Sequence, residues 1–283
     1  MQAAQQAFSS VSWDHDAHPA PEREDVEGVA GAFVIRNAFS SQEATALCAT
    51  VRLVHEEEAV QQQEGGARRA SQHHSALPVT ALALAPLARR LRSLLPGTAG
   101  PGSPAALAPP GLELSTFLRC YKYLPGDESP PHWDKSYTTM CEAPHANVLS
   151  NFSAYSLLLY ASDDCAGGQT TFFSADPSIP ASSTGLTPKC SRSALSVCAA
   201  VTPRAGDALV FPHGLHKGCF PSPLHEGSLV TRGEKLLIRT DVVYYCATPK
   251  GRKGRAGGGG SGRRGEGGGG GGGEGGGGEG GPA

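Results

Sequence analysis

The tightest constraint on this chain is a His-X-Asp triplet, His132-Trp133-Asp134, answered far downstream by His225-Glu226-Gly227 and Lys235. In an extended strand successive side chains alternate faces, so His132 and Asp134 point the same way while Trp133 points to the other side. One strand thus offers two metal ligands, and a fold that uses them must bring a distant segment alongside to give a third. Two imidazoles and one carboxylate are the protein half of a mononuclear non-haem iron site with positions left open for a co-substrate and oxygen. His213, His216 and His225 all follow the Gly206 to Phe211 segment, and each is a candidate for the second imidazole.

The hydrophobic period separates the chain into two styles. Gly31 to Arg36 reads as a strand, and Ser40 can cap a helix from about Gln42 to Glu58 in which Ala46, Ala49 and Leu53 recur near helical spacing. Gln61 to Ser75 is polar and reads as low in order. Leu82, Ala85, Leu91, Leu94 and Leu95 mark a second helix that ends at Pro96-Gly97, followed by a Pro/Gly/Ala loop to Gly111. After residue 112 the period becomes two: Leu112 to Tyr123, Tyr155 to Tyr160, Thr170 to Phe173, Val197 to Val201, Ala208 to Phe211 and Leu236 to Tyr245 read as strands. Many short strands after two helices predict a mainly β chain with flanking helices, built as a double-stranded β-helix of the jelly-roll or cupin type. The mouth of such a barrel can hold a ligand.

Taken together, Tyr123-Leu-Pro-Gly126, Pro131-His132-Trp133-Asp134, Tyr160 running to Gly167-Gly168-Gln169-Thr170, Ala205 to Phe211, and Leu224-His225-Glu226-Gly227 through Gly233-Glu234-Lys235 resemble the prolyl 4-hydroxylase branch of the iron(II)/2-oxoglutarate dioxygenases. The blocks agree in order and approximate spacing over about residues 29 to 247, closely from Leu112 onward. His-X-Asp alone is a weak signal; the ordered set is a strong one. The resemblance implies that His225, in a Leu-His-X-Gly context ten residues before Lys235, completes the metal site with His132 and Asp134. It leaves His213 and His216 as polar residues of a Pro/Gly-bounded loop.

The resemblance also implies the rest of the site. Iron(II) held by three protein ligands has room for the 2-oxo acid group of 2-oxoglutarate and for dioxygen, and the far carboxylate of the co-substrate then needs a cation. Lys235 supplies one, Tyr123 matches a tyrosine that hydrogen-bonds the co-substrate, and Arg239, four residues along the same strand face, is the second choice as cation. Ascorbate as co-reductant is implied by the family alone. Without the upstream triplet, Lys235 and Arg239 would read as the solvated side of an edge strand, Tyr123 as a half-buried strand aromatic, and Gly167-Gly168 as a turn.

Composition sets looser bounds. With 283 residues and 39% hydrophobic content the chain can bury one sizeable core. The expected organisation is a disordered segment over 1–27, a helical and strand support region over 28–111 of the same domain, a dioxygenase core over 112–247, and a glycine-rich disordered tail over 248–283. The net charge of −2 is uneven: from Lys250 to Ala283 six Lys/Arg and three Glu give +3, which leaves −5 on the rest. A mildly acidic folded part argues against a broad phosphate-binding face, so nucleic acid would be met only through the basic tail. That tail holds 21 of the 38 glycines and offers no apolar groups to offset chain entropy. Eight cysteines, at 48, 120, 141, 165, 190, 198, 219 and 246, form no zinc-type spacing. With no apolar run of a secretory signal or membrane span, they read as reduced thiols of a soluble intracellular protein, cytoplasmic or nuclear, with no membrane partner.

The leading expectation is therefore a dioxygenase that hydroxylates a carbon centre while 2-oxoglutarate is converted to succinate and CO2. Peptidyl proline is the first substrate expectation, by resemblance, with another protein side chain or a small metabolite as alternatives. Lys135 to Phe152 and Asp176 to Ser196 flank the metal residues in sequence and are candidate substrate lids. Two other classes stand beside it: a divalent-metal hydrolase using the same ligands, and a barrel without chemistry that serves as a binding module.

Overall fold

The structure, a computed structural model, describes residues 1–13, 19–65, 74–96, 113–136, 138–139, 148–174, 187–213 and 220–247. Residues 1–248 form one compact unit, and 249–283 fall in a second unit outside the described residues. The expected disordered tail, His216, and about half of each expected lid also lie outside them.

The chain opens with α1 (Gln2–Ser9), β1 (Glu22–Asp25), β2 (Phe33–Arg36), α2 (Ser41–Gly65), β3 (His74–Pro78) and α3 (Ala81–Leu91). Strands follow: β4 (Glu113–Leu114), β5 (Phe117–Tyr123), β6 (Ser129–His132), β7 (Thr138–Thr139), β8 (Val148–Tyr160), β9 (Cys165–Gly167) and β10 (Thr170–Phe173). After a 3-10 turn at Arg192–Ala194 come β11 (Val197–Val201), β12 (Ala208–Pro212), β13 (His225–Gly227), β14 (Val230–Gly233) and β15 (Lys235–Ala247). A large antiparallel sheet runs β1-β2-β12-β8-β15-β5-β3, with β4 beside β15 and β7 beside β8; a smaller one runs β11-β10-β13-β6, and β14 pairs with β9. The molecule is mainly β with flanking helices, in the jelly-roll arrangement expected from the strand pattern.

The pleat of the large sheet sorts its side chains into two layers. On β15, Leu236, Ile238 and Val242 join Leu157 and Leu159 of β8 and Leu118 and Cys120 of β5 in a core that also takes Leu47, Val51 and Val54 of α2 and Leu84, Leu87 and Leu91 of α3. The opposite face turns toward the small sheet, where Tyr123, Leu158, Tyr160, Leu209, Phe211 and Leu237 pack with Phe172 and Val230. On that inner face β15 alternates Lys235, Leu237, Arg239 and Asp241, and all four are buried or half-buried. Burying three charges on one strand needs partners, so this face is where chemistry belongs.

Several local expectations need correction. Within the segment 1–27, expected to be disordered, the described residues form two elements: α1 buries Ala4 and Phe8 completely, and β1 extends the large sheet in register with β2, Glu22 opposite Arg36. An eight-residue helix carries two well-placed apolar residues, too few to register as a period. In α2 the buried stripe is Ala44, Leu47, Cys48, Val51 and Val54, and Ala49 is exposed. In α3 Leu82 is 83% exposed while Leu84 and Leu87 are buried, because Thr80 caps the helix by accepting from Ala83 N–H and sets its phase. The region over 61–75, read as low in order, includes the end of α2 and the start of β3, a strand paired with β5.

Candidate metal centre

The register of the small sheet makes the site. β6 and β13 pair antiparallel with His132 opposite His225, so two imidazoles far apart in sequence become direct cross-strand neighbours with ring centroids 4.3 Å apart. Strand β6 ends at His132, and Asp134 follows in the connecting segment, its carboxylate buried between the sheets. Asp134 Oδ1 lies 3.7 Å from His132 Nε2 and Oδ2 lies 3.8 Å from His225 Nε2. Trp133 turns the other way and packs against Phe173, Leu195 and Leu224.

This donor set fits a divalent metal. Ligands each about 2.0–2.2 Å from a metal lie about 3–4 Å from one another, and one atom from each of His132, Asp134 and His225 lies within 4.8 Å of the others. The imidazoles are also turned for it. His132 Nδ1 donates to the Pro130 carbonyl at 2.8 Å and His225 Nδ1 to the Pro223 carbonyl at 3.1 Å. A carbonyl only accepts, so the proton sits on Nδ1 and each Nε2 presents a lone pair to the shared space. Burial lowers the His225 pKa to about 3, which keeps that ring neutral. For Asp134, burial acts to raise the pKa, but the Arg239 guanidinium and then the neighbouring imidazoles outweigh it and hold the carboxyl well below its usual range.

One cavity joins the triad to Tyr121, Tyr123, Thr170, Lys235 and Arg239. Lys235 is 2% exposed, and its ammonium lies 5.3 Å from the centroid of the Tyr123 ring. Among the described residues it has no acidic partner. Desolvation accordingly lowers its pKa to about 8. Gly168 gives it room: a Cβ there would stand 3.1 Å from Lys235 Cδ. Tyr123 shares a side-chain hydrogen bond with Ser129, and burial raises its pKa. Tyr160 and Thr170 hydroxyls meet at 2.8 Å on the cavity wall.

Arg239 differs from Lys235 in having its charge already matched. Its Nη1 donates to Asp134 Oδ1 at 2.6 Å and its Nη2 faces Asp241 Oδ1 at 3.5 Å. Glu226, beside His225, is bound by Arg192 through contacts of 2.8 to 3.2 Å and by the Ser228 hydroxyl at 2.9 Å, so its charge is already matched. His213, read as a loop residue, is wholly buried at the end of β12, 3.0 Å from Ser156 Oγ, and is not among the three clustered ligands. Asp207 of the Gly-Asp-Ala-Leu-Val-Phe run is structural: it accepts from Arg36 at 2.7 Å and from Asn37 N–H.

Sequence reasoning missed Ser156, which donates to Asp134 Oδ2 at 2.5 Å, and Tyr121, whose ring stacks on Tyr123 at 5.9 Å. The signal for Ser156 was present. It is the one polar residue in the apolar run Tyr155 to Tyr160 and shares a face with Leu158 and Tyr160.

No protein-family model and no curated protein matches the sequence. Among solved structures, the chain is similar to the viral collagen prolyl hydroxylase of Paramecium bursaria Chlorella virus-1 in its 2OG complex, at 15% identity and a TM-score of 0.43 over 75% of this chain and 94% of that one. It is similar also to a Pseudomonas putida prolyl-4-hydroxylase, at 19% identity and a TM-score of 0.40 over 80% and 98%. A third is HygX from Streptomyces hygroscopicus with nickel and 2-oxoglutarate bound, at 16% identity and a TM-score of 0.40 over 76% and 82%.

Proposed function

We propose that this protein is an iron(II)- and 2-oxoglutarate-dependent dioxygenase that hydroxylates a carbon centre, with succinate and CO2 as co-products. The observation that carries the reading is the pairing of a two-imidazole, one-carboxylate donor set with a buried lysine that has no acidic partner among the described residues, on the wall of the same cavity. Iron(II) held by His132 Nε2, Asp134 and His225 Nε2, with the 2-oxo acid chelated beside it, would supply the oxygen chemistry. The chain's own residues do the rest. The Pro130 and Pro223 carbonyls keep the imidazoles in the ligating tautomer, and the two sheets exclude water around Asp134.

Lys235 is the proposed partner of the far carboxylate, and Tyr123 the hydroxyl beside it. A buried ammonium without a counterion is costly unless a ligand brings one, whereas Arg239 already has two carboxylates. Lys235→Met should remove that partner at about 3–5 kcal/mol, raising the KM for 2-oxoglutarate by roughly two to three and a half decades. In this reading residues 112–247 carry the dioxygenase core and 28–111 brace it. A hydrolase would need a general base over the metal, and the neutralisation of Glu226 by Arg192 argues against one.

Peptidyl proline is the first proposed substrate, with other side chains or a small metabolite behind it, and ascorbate is a proposed co-reductant. The test is turnover of 2-oxoglutarate alone. Iron(II)-dependent succinate release, abolished in Asp134→Ala, is the expected result; iron-saturated protein that releases none would make this a binding module. Mass spectrometry of peptide and metabolite panels for a gain of one oxygen identifies the substrate, and a product without proline would refute the peptidyl-proline assignment.

A further inference from the structure

Asp134 is held from both sides by groups that a three-ligand metal site does not require. Oδ1 accepts from Arg239 Nη1 at 2.6 Å, and Oδ2 accepts from Ser156 Oγ at 2.5 Å. Each oxygen therefore has one fixed donor and one imidazole nitrogen in front of it. The supports are themselves supported. Arg239 reaches on to Asp241 at 3.5 Å, and the second oxygen of Asp241 faces Arg119 Nη1 at 3.4 Å. A serine hydroxyl has one proton, and here Asp134 receives it. Toward His213 Nδ1, 3.0 Å away, Ser156 must then accept, so His213 carries its proton on Nδ1.

These residues come from separate places in the sequence: Arg119 on β5, Arg239 and Asp241 on β15, Ser156 on β8, and His213 after β12. They adjoin because the sheet places them so: Arg119 is the cross-strand partner of Arg239, and Ser156 of Asp241. Asp134, Asp241 and His213 are all buried. Arg239 Nε and His213 Nε2 are buried without a partner among the described residues, but the bonds that are made connect Asp134, Arg239 and Ser156 and hold them in one arrangement.

We infer that Arg239 and Ser156 are positioning residues for the metal ligand, locking the Asp134 carboxylate toward the two Nε2 atoms before a metal arrives. The inference rests on the metal-centre reading and assigns Arg239 a task different from co-substrate binding. Two effects of the guanidinium oppose each other. It repels a divalent cation and draws charge from the carboxylate, which weakens metal binding; it also removes the freedom of a carboxylate that must be ordered to ligate, which strengthens it. Partners of metal ligands, when removed, typically cost 10–100-fold in metal affinity, so ordering is expected to dominate.

The test uses the full-length metal-free chain and metal alone, with Mn(II) affinity read by calorimetry and ligand geometry by the visible absorption of Co(II). Arg239→Gln is expected to bind Mn(II) about 10–100-fold more weakly, with an altered Co(II) spectrum. Arg239→Lys, which keeps the charge and loses the fork, should also bind more weakly than wild type. Should Arg239→Gln fail to fold, Ser156→Ala carries the same expectation with a smaller structural change. Unchanged or tighter Mn(II) binding in Arg239→Gln or, in its place, Ser156→Ala, with the wild-type Co(II) spectrum, overturns the inference and leaves the metal centre intact. Wild-type protein that binds neither metal better than Asp134→Ala overturns the metal centre and this inference together.

Discussion

Lys235 exposes a conflict between stability and ligand binding. The folded chain holds its ammonium at 2% exposure with a pKa lowered to about 8, while the unfolded chain titrates it near 10.5. Between those values the unfolded state binds more protons, so stability rises with pH across the window, and below about 8 the buried charge costs its full amount. Lys235→Met should therefore raise the melting temperature of metal-free protein at pH 7, by about 1–3 kcal/mol of stability. It should also flatten the rise in stability between about pH 8 and 10.5. A variant less stable than wild type at pH 7 would show that the ammonium is satisfied within the protein. Its place on a strand ten residues after His225 was legible from spacing; that no acidic partner faces it among the described residues was not, because partners across a sheet leave no trace in sequence order. The same limit hid the role of Arg239, legible as sharing a strand face with Lys235 but not as bound to Asp134.

At the scale of elements, the capped helix start at Ser40 is where local chemistry and tertiary packing agree. The Ser40 hydroxyl accepts from Glu43 N–H at 3.2 Å, and the Glu43 carboxylate reaches back to Ser40 N–H at 2.6 Å, a reciprocal capping box. The same carboxylate, 1% exposed, takes a forked pair of bonds from Arg90 at 2.7 and 2.8 Å and so ties α2 to α3. Glu43→Ala should lose the cap and take the carboxylate away from the Arg90 guanidinium, which keeps the Ala38 carbonyl at 3.3 Å, destabilising the protein by about 2–4 kcal/mol in urea unfolding. A loss below about 1 kcal/mol, the typical worth of the cap alone, would show that Arg90 finds other partners. The helix start was readable from Ser40, yet the buried stripe of α2 was placed one position off, because alanines at 46 and 49 satisfy a helical period as well as Leu47 and Val51 do. Short strands were the least legible elements. Prolines 130 and 131 disguise β6, and β3 starts at the end of a polar stretch, its strand character coming from pairing with β5.

Across the whole molecule, the site exists because two sheets face each other with a fixed register. The order of motifs made the two-sheet arrangement readable, since ligands on distant strands require it; the opposition of His132 and His225 in one ladder had to be seen. Lys235 is set by the β9–β14 ribbon that precedes it. There Gly233 sits at φ +74°, and a Cβ would fall 1.9 Å from the Asp164 carbonyl oxygen. Gly233→Ala should displace the ribbon, costing about 1–3 kcal/mol and weakening 2-oxoglutarate binding more than metal binding; equal losses of both would place the strain elsewhere. No helix among the described residues is long and apolar enough to cross a membrane. The most direct test of the account is a crystal structure of the full chain with a divalent metal and 2-oxoglutarate under anaerobic conditions. The expected result is metal bonded to His132 Nε2, Asp134 and His225 Nε2, with the far carboxylate of the co-substrate in salt-bridge contact with Lys235 Nζ. Metal bound elsewhere, or that carboxylate resting on Arg239 with Lys235 turned away, would contradict it.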